Sequence, residues 1–434
     1  MFAAASGLPI PFPGSVIVRV QPDAPQPPPP PPPPTPASDP ARTTARWERV
    51  RGASQGVLEP CWQALALIVA IRYFAADEGV KSLLAAATGI GLTLSFFSLP
   101  LLLRLRMRVA DALALLWLAA GLLLLGLTVS GHFLAFLGAV IAAQILLAQG
   151  PQLVTHIYAT NFAARERGRR LSLVFIIASL TGIVFSYAGG AVLDADIRLY
   201  RLVFALAAAA ALTGAYAFHR MPSQPLASIP ASSLWENFSL AWRDKVFGGL
   251  LFGWMLMGLG NLMVIPLRVE YLANPAYGIN LSNATITALL VGVVAVFRIA
   301  STTFWGIVFD RLNVITVRVV LNLFFFLSIL VFFNSTQLLW LALGSALLGV
   351  AFGGAGIMWS LFVTKIAPPD KVPAYMSLHG FLTGLRAAAA PFIGYSFLAL
   401  GGPVFAAWVA AATVGAATLV FMPLRPALEQ RKID

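Results

Sequence analysis

The chain is poor in charge, in cysteine and in acidic groups placed deep in its apolar runs. Only 11% of its 434 residues are charged, against about 25% in a soluble domain, which excludes an ordinary soluble fold. A single cysteine, Cys61, excludes an intrachain disulfide framework and any multi-cysteine metal site. His132, His219 and His379 are loop or helix-end residues without metal spacing, so no metal and no cofactor is expected. A G-x-x-x-x-G-K-[S/T] run is missing, which argues against ATP as a partner. Paired carboxylates and a nucleophile beside a base are missing too, which argues against an enzyme.

What the chain does have is apolar length. Residues of apolar type make up 59% of it, in runs near the ~20 residues with which a helix crosses a bilayer. A membrane β-barrel would instead show weak alternation in ~10-residue segments. The expected class is an all-α, multi-pass membrane protein with the lipid bilayer as its main partner. Twelve helices are expected, near 53–75, 80–103, 108–129, 133–160, 171–194, 200–219, 246–272, 284–308, 314–334, 338–364, 373–399 and 403–423.

The net charge of +12 follows from membrane topology, because cytoplasmic loops collect Lys and Arg; nucleic acid is not expected as a partner. With the N-terminus inside, the inner segments hold Arg42, Arg46, Arg49, Arg51, the 104–108 and 165–170 clusters, Arg220, Arg243, Lys245, Arg311, Arg318, Lys365, Lys371 and the C-terminal basic residues. The outer segments hold Arg72, Lys81, Arg198, Arg201 and Arg268. This asymmetry predicts N-in/C-in and fits an even helix count.

Residues 1–45 read as a disordered, proline-rich cytoplasmic tail, since the run Pro27 to Pro34 favours polyproline II. The expected units are then a six-helix bundle over 46–220, a cytoplasmic linker over 221–245, a second bundle over 246–424 and a short tail over 425–434. In the linker, Trp235, Phe238 and Trp242 recur at i, i+3, i+7 and predict an amphipathic interfacial helix. Trp47-Glu-Arg-Val before the first helix echoes Trp242-Arg-Asp-Lys-Val before the seventh. Halves repeated in parallel are typical of secondary transporters with a site between them.

The loop after the eighth helix reads Gly306-Ile-Val-Phe-Asp310-Arg311-Leu-Asn313, with Arg318 beyond. It resembles the G-x-x-x-D-R-x-G signature of the major facilitator superfamily, in its second-half copy, with Asn313 where Gly is usual. The first-half copy, Pro100 to Arg108, is degraded. The resemblance implies that Gly306, Asp310, Arg311 and Arg318 form a gating latch. It implies too that helices 1, 2, 4, 5, 7, 8, 10 and 11 line a central cavity, and that two bundles rock by alternating access.

Arg298 and Arg386 fall midway along apolar runs, roughly 15 and 20 Å from their inner helix ends at ~1.5 Å per residue. A guanidinium there costs at least ~2.5–3.5 kcal/mol, and no Asp or Glu is expected at that depth. Together they could clamp one anion; the alternative is that each bonds to carbonyls and fixes helix packing. Further candidates for substrate contact are Asn261 and the stripe Gln149, Gln152 and His156, which could equally be helix–helix bonding. Glu59 is the candidate for a coupling proton, against the reading of an interfacial acid paired with a loop arginine. Ser172, Ser179 and Ser186 follow a heptad that suggests close packing.

The function expected from these readings is secondary active transport of a small organic anion by a monomer in a cytoplasmic (inner) membrane. The alternatives are an exporter of hydrophobic or amphipathic compounds and a membrane sensor that does not transport.

Overall fold

The computed structural model describes residues 39–102, 106–226, 234–368 and 371–430; the expected tail lies outside the described residues up to residue 38. Among the described residues, ten helices are long and apolar enough to cross a membrane. One further span is split into two pieces and one of the ten is two spans joined, so the chain crosses twelve times. The spans are α1 (Pro40–Arg72), α2 (Glu78–Leu102), α3 (Val109–Val129), α4 (Phe133–Leu147, then Pro151–Asn161), α5 (Ala164–Ala195) and α6 (Tyr200–His219). The second half comprises α7 (Lys245–Ala273), α8 (Asn283–Arg311), α9 (Val314–Phe333), α10 (Leu338–Leu361), α11 (372–401) and α12 (403–421).

The elements depart from the sequence reading where backbone chemistry intervenes. The fourth span is not continuous: it breaks at Ala148–Gly150, because Pro151 lacks the N–H that would continue the ladder. The α11 and α12 spans run on without a loop, turning at Gly402 with φ 78°, a conformation that glycine adopts readily, followed by Pro403. The first helix begins at Pro40, inside the stretch assigned to the tail, and α5 begins at Ala164 rather than near 171. Side-chain caps set other boundaries. Asp244 accepts from Phe247 N at 3.1 Å, and Asn313 accepts from Ile315 N at 2.8 Å. The expected linker helix forms over Leu234–Arg243.

Two bundles result, and they repeat. In the first, α1 packs on α5 and α6, α3 on α4 and α6, and α2 on α4; in the second, α7 packs on α11 and α12, α9 on α10 and α12, and α8 on α10. A shift of six helices maps one set onto the other. Small residues carry the seams between halves. A Cβ on Gly89 would meet Ala388 N at 2.3 Å, and one on Gly384 would meet Thr93 N at 2.6 Å, so α2 and α11 touch backbone to backbone. The seam equivalent under the repeat is α5 on α8, where a Cβ on Gly190 would meet Thr287 Oγ1 at 2.6 Å. Such approach is how apolar helices gain packing contact in lipid.

Candidate functional site

The two ends of the bundle are closed differently. At the far end, away from the chain termini, polar side chains tie one half to the other. Arg72 of α1 donates to Ala273 O (3.0 Å), Leu281 O (2.7 Å) and Asn283 Oδ1 (2.6 Å). Lys81 of α2 pairs with buried Glu270 of α7 at 2.9 Å. Asp194, at the end of α5, accepts from Asn283 N (2.6 Å) and Ala284 N (2.9 Å), capping α8 from the opposite half. Toward the near end the α2–α11 seam persists, with Phe96 and Phe381 centroids 4.7 Å apart and Phe238 of the linker helix 5.3 Å from Phe381. The α5–α8 contact instead narrows to Arg298, which reaches Ser179 and Phe175.

A cavity of ≈ 150 Å³ lies between the halves at this level, walled by α1, α5, α7, α8 and α10. Its polar groups are Glu59 and Gln63 of α1, Ser179 of α5, Arg268 of α7 and Arg298 of α8; Leu290, Val294, Leu348 and Phe352 are among its apolar walls. Both α1 and α8 carry a π-helical turn beside it, Cys61–Leu65 and Ala288–Val293, a distortion frequent at functional sites. Arg298 is half-buried. One Nη donates to Ser179 Oγ at 3.3 Å, and its Cζ lies 4.5 Å from the Phe175 centroid. Its Nε has no acceptor.

Glu59 lines the same cavity as Arg298. This corrects the expectation that no acid lies at that depth. Glu59 is held from its own helix: Gln55 Nε2 donates to Glu59 Oε1 at 2.9 Å, Arg51 donates to Gln55 Oε1, and Arg51 also binds Glu48, whose carboxylate accepts from Tyr158. A ladder of polar side chains thus runs along α1 from the near end to the cavity.

Arg386 does not share that cavity. It falls midway along α11, which turns it into the second bundle. There Nη1 donates to Trp254 O at 2.6 Å and Nη2 to Thr383 Oγ1 at 3.2 Å. Asn261 is buried in α7, its Oδ1 without a partner, and does not line the cavity. Gln149 bonds α4 to α2, with Nε2 donating to Gly91 O at 3.2 Å and Oε1 accepting from Ser98. His156 is half-buried with Nε2 unpartnered and lies away from the cavity. The Gln152 side chain lies outside the described residues.

In the loop motif, Asp310 and Arg311 are exposed and form no ion pair among the described residues. Lys365 meets the same helix end by donating to Phe309 O. Arg318 is fully buried, and so is Arg268, which donates to Ser328 O at 3.2 Å and Ser328 Oγ at 2.7 Å. Both were counted among loop charges in the topology reading. Gln63, Ser179 and Arg268 are the lining residues that sequence reasoning missed. Helical spacing from Glu59 to Gln63, one turn apart, is the signal that could have found the first.

By sequence, no protein-family model and no curated protein matches the chain. By structure, it is similar to the nucleoside transporter NupG, with TM-score 0.69 and 12% identity, over 90% of this chain and 100% of that one. It is similar to a POT family transporter in complex with a thioalcohol-conjugated peptide, with TM-score 0.71 and 11% identity, over 90% and 97% of the two chains. A bacterial homolog of the human lysosomal transporter Spinster, inward-facing and occupied, aligns with TM-score 0.67 and 13% identity, over 91% and 99%. Twelve spans in two repeated bundles, seams of α2 on α11 and α5 on α8, and these whole-chain likenesses together identify the fold as that of the major facilitator superfamily.

Proposed function

We propose that the chain is a secondary active transporter working by alternating access, and that its substrate is a small organic anion bound by Arg298. The observation that carries this reading is the position of Arg298. It is a permanent cation at mid-span, in a cavity between two rocking halves, and it donates there to one serine hydroxyl. Oriented N-in/C-in in a cytoplasmic membrane, the structure is shut on the outer side by Arg72, Lys81 and Asp194. Gln63 is exposed within the cavity, which fits access from the inner side.

The cavity size limits the substrate. A cavity of ≈ 150 Å³ suits a short carboxylate better than a bulky amphipath. Glu59, a cavity-lining residue from the opposite half, is the candidate for carrying a coupling proton in this reading.

The test is a thermal-shift screen of purified protein against short mono- and dicarboxylates, followed by uptake into proteoliposomes. A charge-assisted bond contributes about 1.5–3 kcal/mol, so Arg298→Ala should weaken the stabilising anion roughly 10- to 100-fold. Arg386→Ala, away from the cavity, should retain the anion-induced shift. Full retention in Arg298→Ala would favour the export of hydrophobic compounds by the apolar walls.

A further inference from the structure

The second bundle holds a group of basic side chains that the central cavity does not use. Arg318 of α9 is 1% exposed, and Nε, Nη1 and Nη2 all lack an acceptor. Its Cζ lies 4.1 Å from the ring centroid of Trp254 on α7. Arg386 of α11 approaches the same indole, with Cζ 5.8 Å from its centroid, and its Nε is also unpartnered. His379, two turns before Arg386, has its ring 5.1 Å from Trp254 and 4.8 Å from Phe362, and its Nε2 has no partner. All three side chains pack around Trp254, so they form one group.

Acid is missing from this group. Neither arginine and not His379 belongs to any ion pair among the described residues. Arginine cannot shed its proton in a protein, so two like charges stand close together in a medium that screens them poorly. The face of Trp254 offsets a fraction of that. Carbonyls satisfy part of Arg386 through Trp254 O, but nothing satisfies Arg318. Removing one partner of a buried charge is strongly destabilising, and here a whole guanidinium stands without one.

We infer that Arg318, Arg386 and His379 bind a small monovalent inorganic anion of halide size inside the second bundle. The donors are five nitrogens: all three of Arg318, Nε of Arg386 and Nε2 of His379. Crowding sets the size. Trp254 and Phe362 pack with centroids 5.1 Å apart, and a Cβ on Gly258 would meet Arg386 Cδ and Nε at 2.3 Å. A tetrahedral oxyanion or an organic carboxylate would need that packing to open. The anion ties α7, α9 and α11 together as a fixed element of the bundle that moves. This site is separate from the Arg298 cavity and does not rest on the transport reading.

The experiment uses the full-length protein in detergent, in potassium chloride against potassium gluconate at constant ionic strength, with sulfate and nitrate arms. Thermal unfolding and tryptophan emission are read together, since Trp254 and Trp359 adjoin His379. Chloride is expected to raise the unfolding temperature saturably in the wild type and equally in Arg298→Ala. His379→Gln should raise the half-saturating chloride concentration about tenfold, and Arg318→Gln should remove the chloride dependence. Should Arg318→Gln fail to fold, His379→Gln and a bromide anomalous peak between Arg318 and Arg386 decide the matter. Identical unfolding of the wild type in chloride and gluconate, or a chloride response unmoved by His379→Gln with no bromide peak, overturns the assignment. A response to sulfate alone overturns its monovalent character.

Discussion

A guanidinium at mid-span needs acceptors, and α8 and α11 supply them in different ways. Arg386 finds a backbone carbonyl of α7, whereas Arg298 finds a serine and a phenyl face at the edge of a cavity. Depth was legible in the sequence, because it follows from residue counts along an apolar run. Facing was not. Around Arg386 the sequence is Leu385-Arg-Ala-Ala-Ala-Ala-Pro391, in which alanine is equally acceptable on every side of the helix and no periodicity marks a cavity face. Arg318 and Arg268 were hidden for another reason: each lies near a span end, where basic residues normally meet water. At this scale Glu59→Gln should abolish proton-driven accumulation and retain counterflow exchange of the same anion in proteoliposomes. Equal loss of both would make Glu59 a structural partner of Gln55 instead.

Elements are set by a few backbone-sensitive residues within otherwise uniform apolar runs. The split of α4 and the fused α11–α12 both turn on a glycine followed by proline, Gly150-Pro151 and Gly402-Pro403; apolar length alone cannot distinguish a break from a bend. Asn313 shows a departure from a family motif acquiring a local role. Where the signature has glycine, the side chain caps α9 through Ile315 N. Asn313→Ala should therefore destabilise the protein by about 1 kcal/mol, and Asn313→Asp should preserve stability, both read by chemical or thermal unfolding. The α5–α8 seam is more demanding. Gly190→Ala puts a Cβ 2.6 Å from Thr287 Oγ1 and 2.7 Å from Ala284 Cα, an overpacking that costs about 1–3 kcal/mol. That cost falls on the conformation closed at the far end. Any reporter of far-end closure should shift by roughly tenfold per 1.4 kcal/mol, and an unchanged distribution would mean that the helices slide apart at no cost.

In the whole molecule, the two halves are held by unequal means, and this asymmetry makes the proposed rocking motion testable. The two seams of small residues are related to each other by the repeat, whereas the charged ties at Arg72, Lys81–Glu270 and Asp194 lie at the far end. Glu270 is 1% exposed, so Lys81→Met leaves a buried carboxylate with Asn274 as its remaining side-chain donor, a loss of about 3–5 kcal/mol when such a pair is broken. In the proposed opposite conformation the far end separates and Glu270 meets water, which escapes that penalty. The chain suits a direct measurement, because its one cysteine, Cys61, is fully buried. With Gln63→Cys placed in the cavity, a hydrophilic thiol reagent should label the protein from the near end. Adding Arg72→Ala and Lys81→Met should move labelling to the far end, since the closed state then lacks two of its ties. Labelling from the near end alone in the triple variant would show that the helix seams, and not the charges, hold the far end shut.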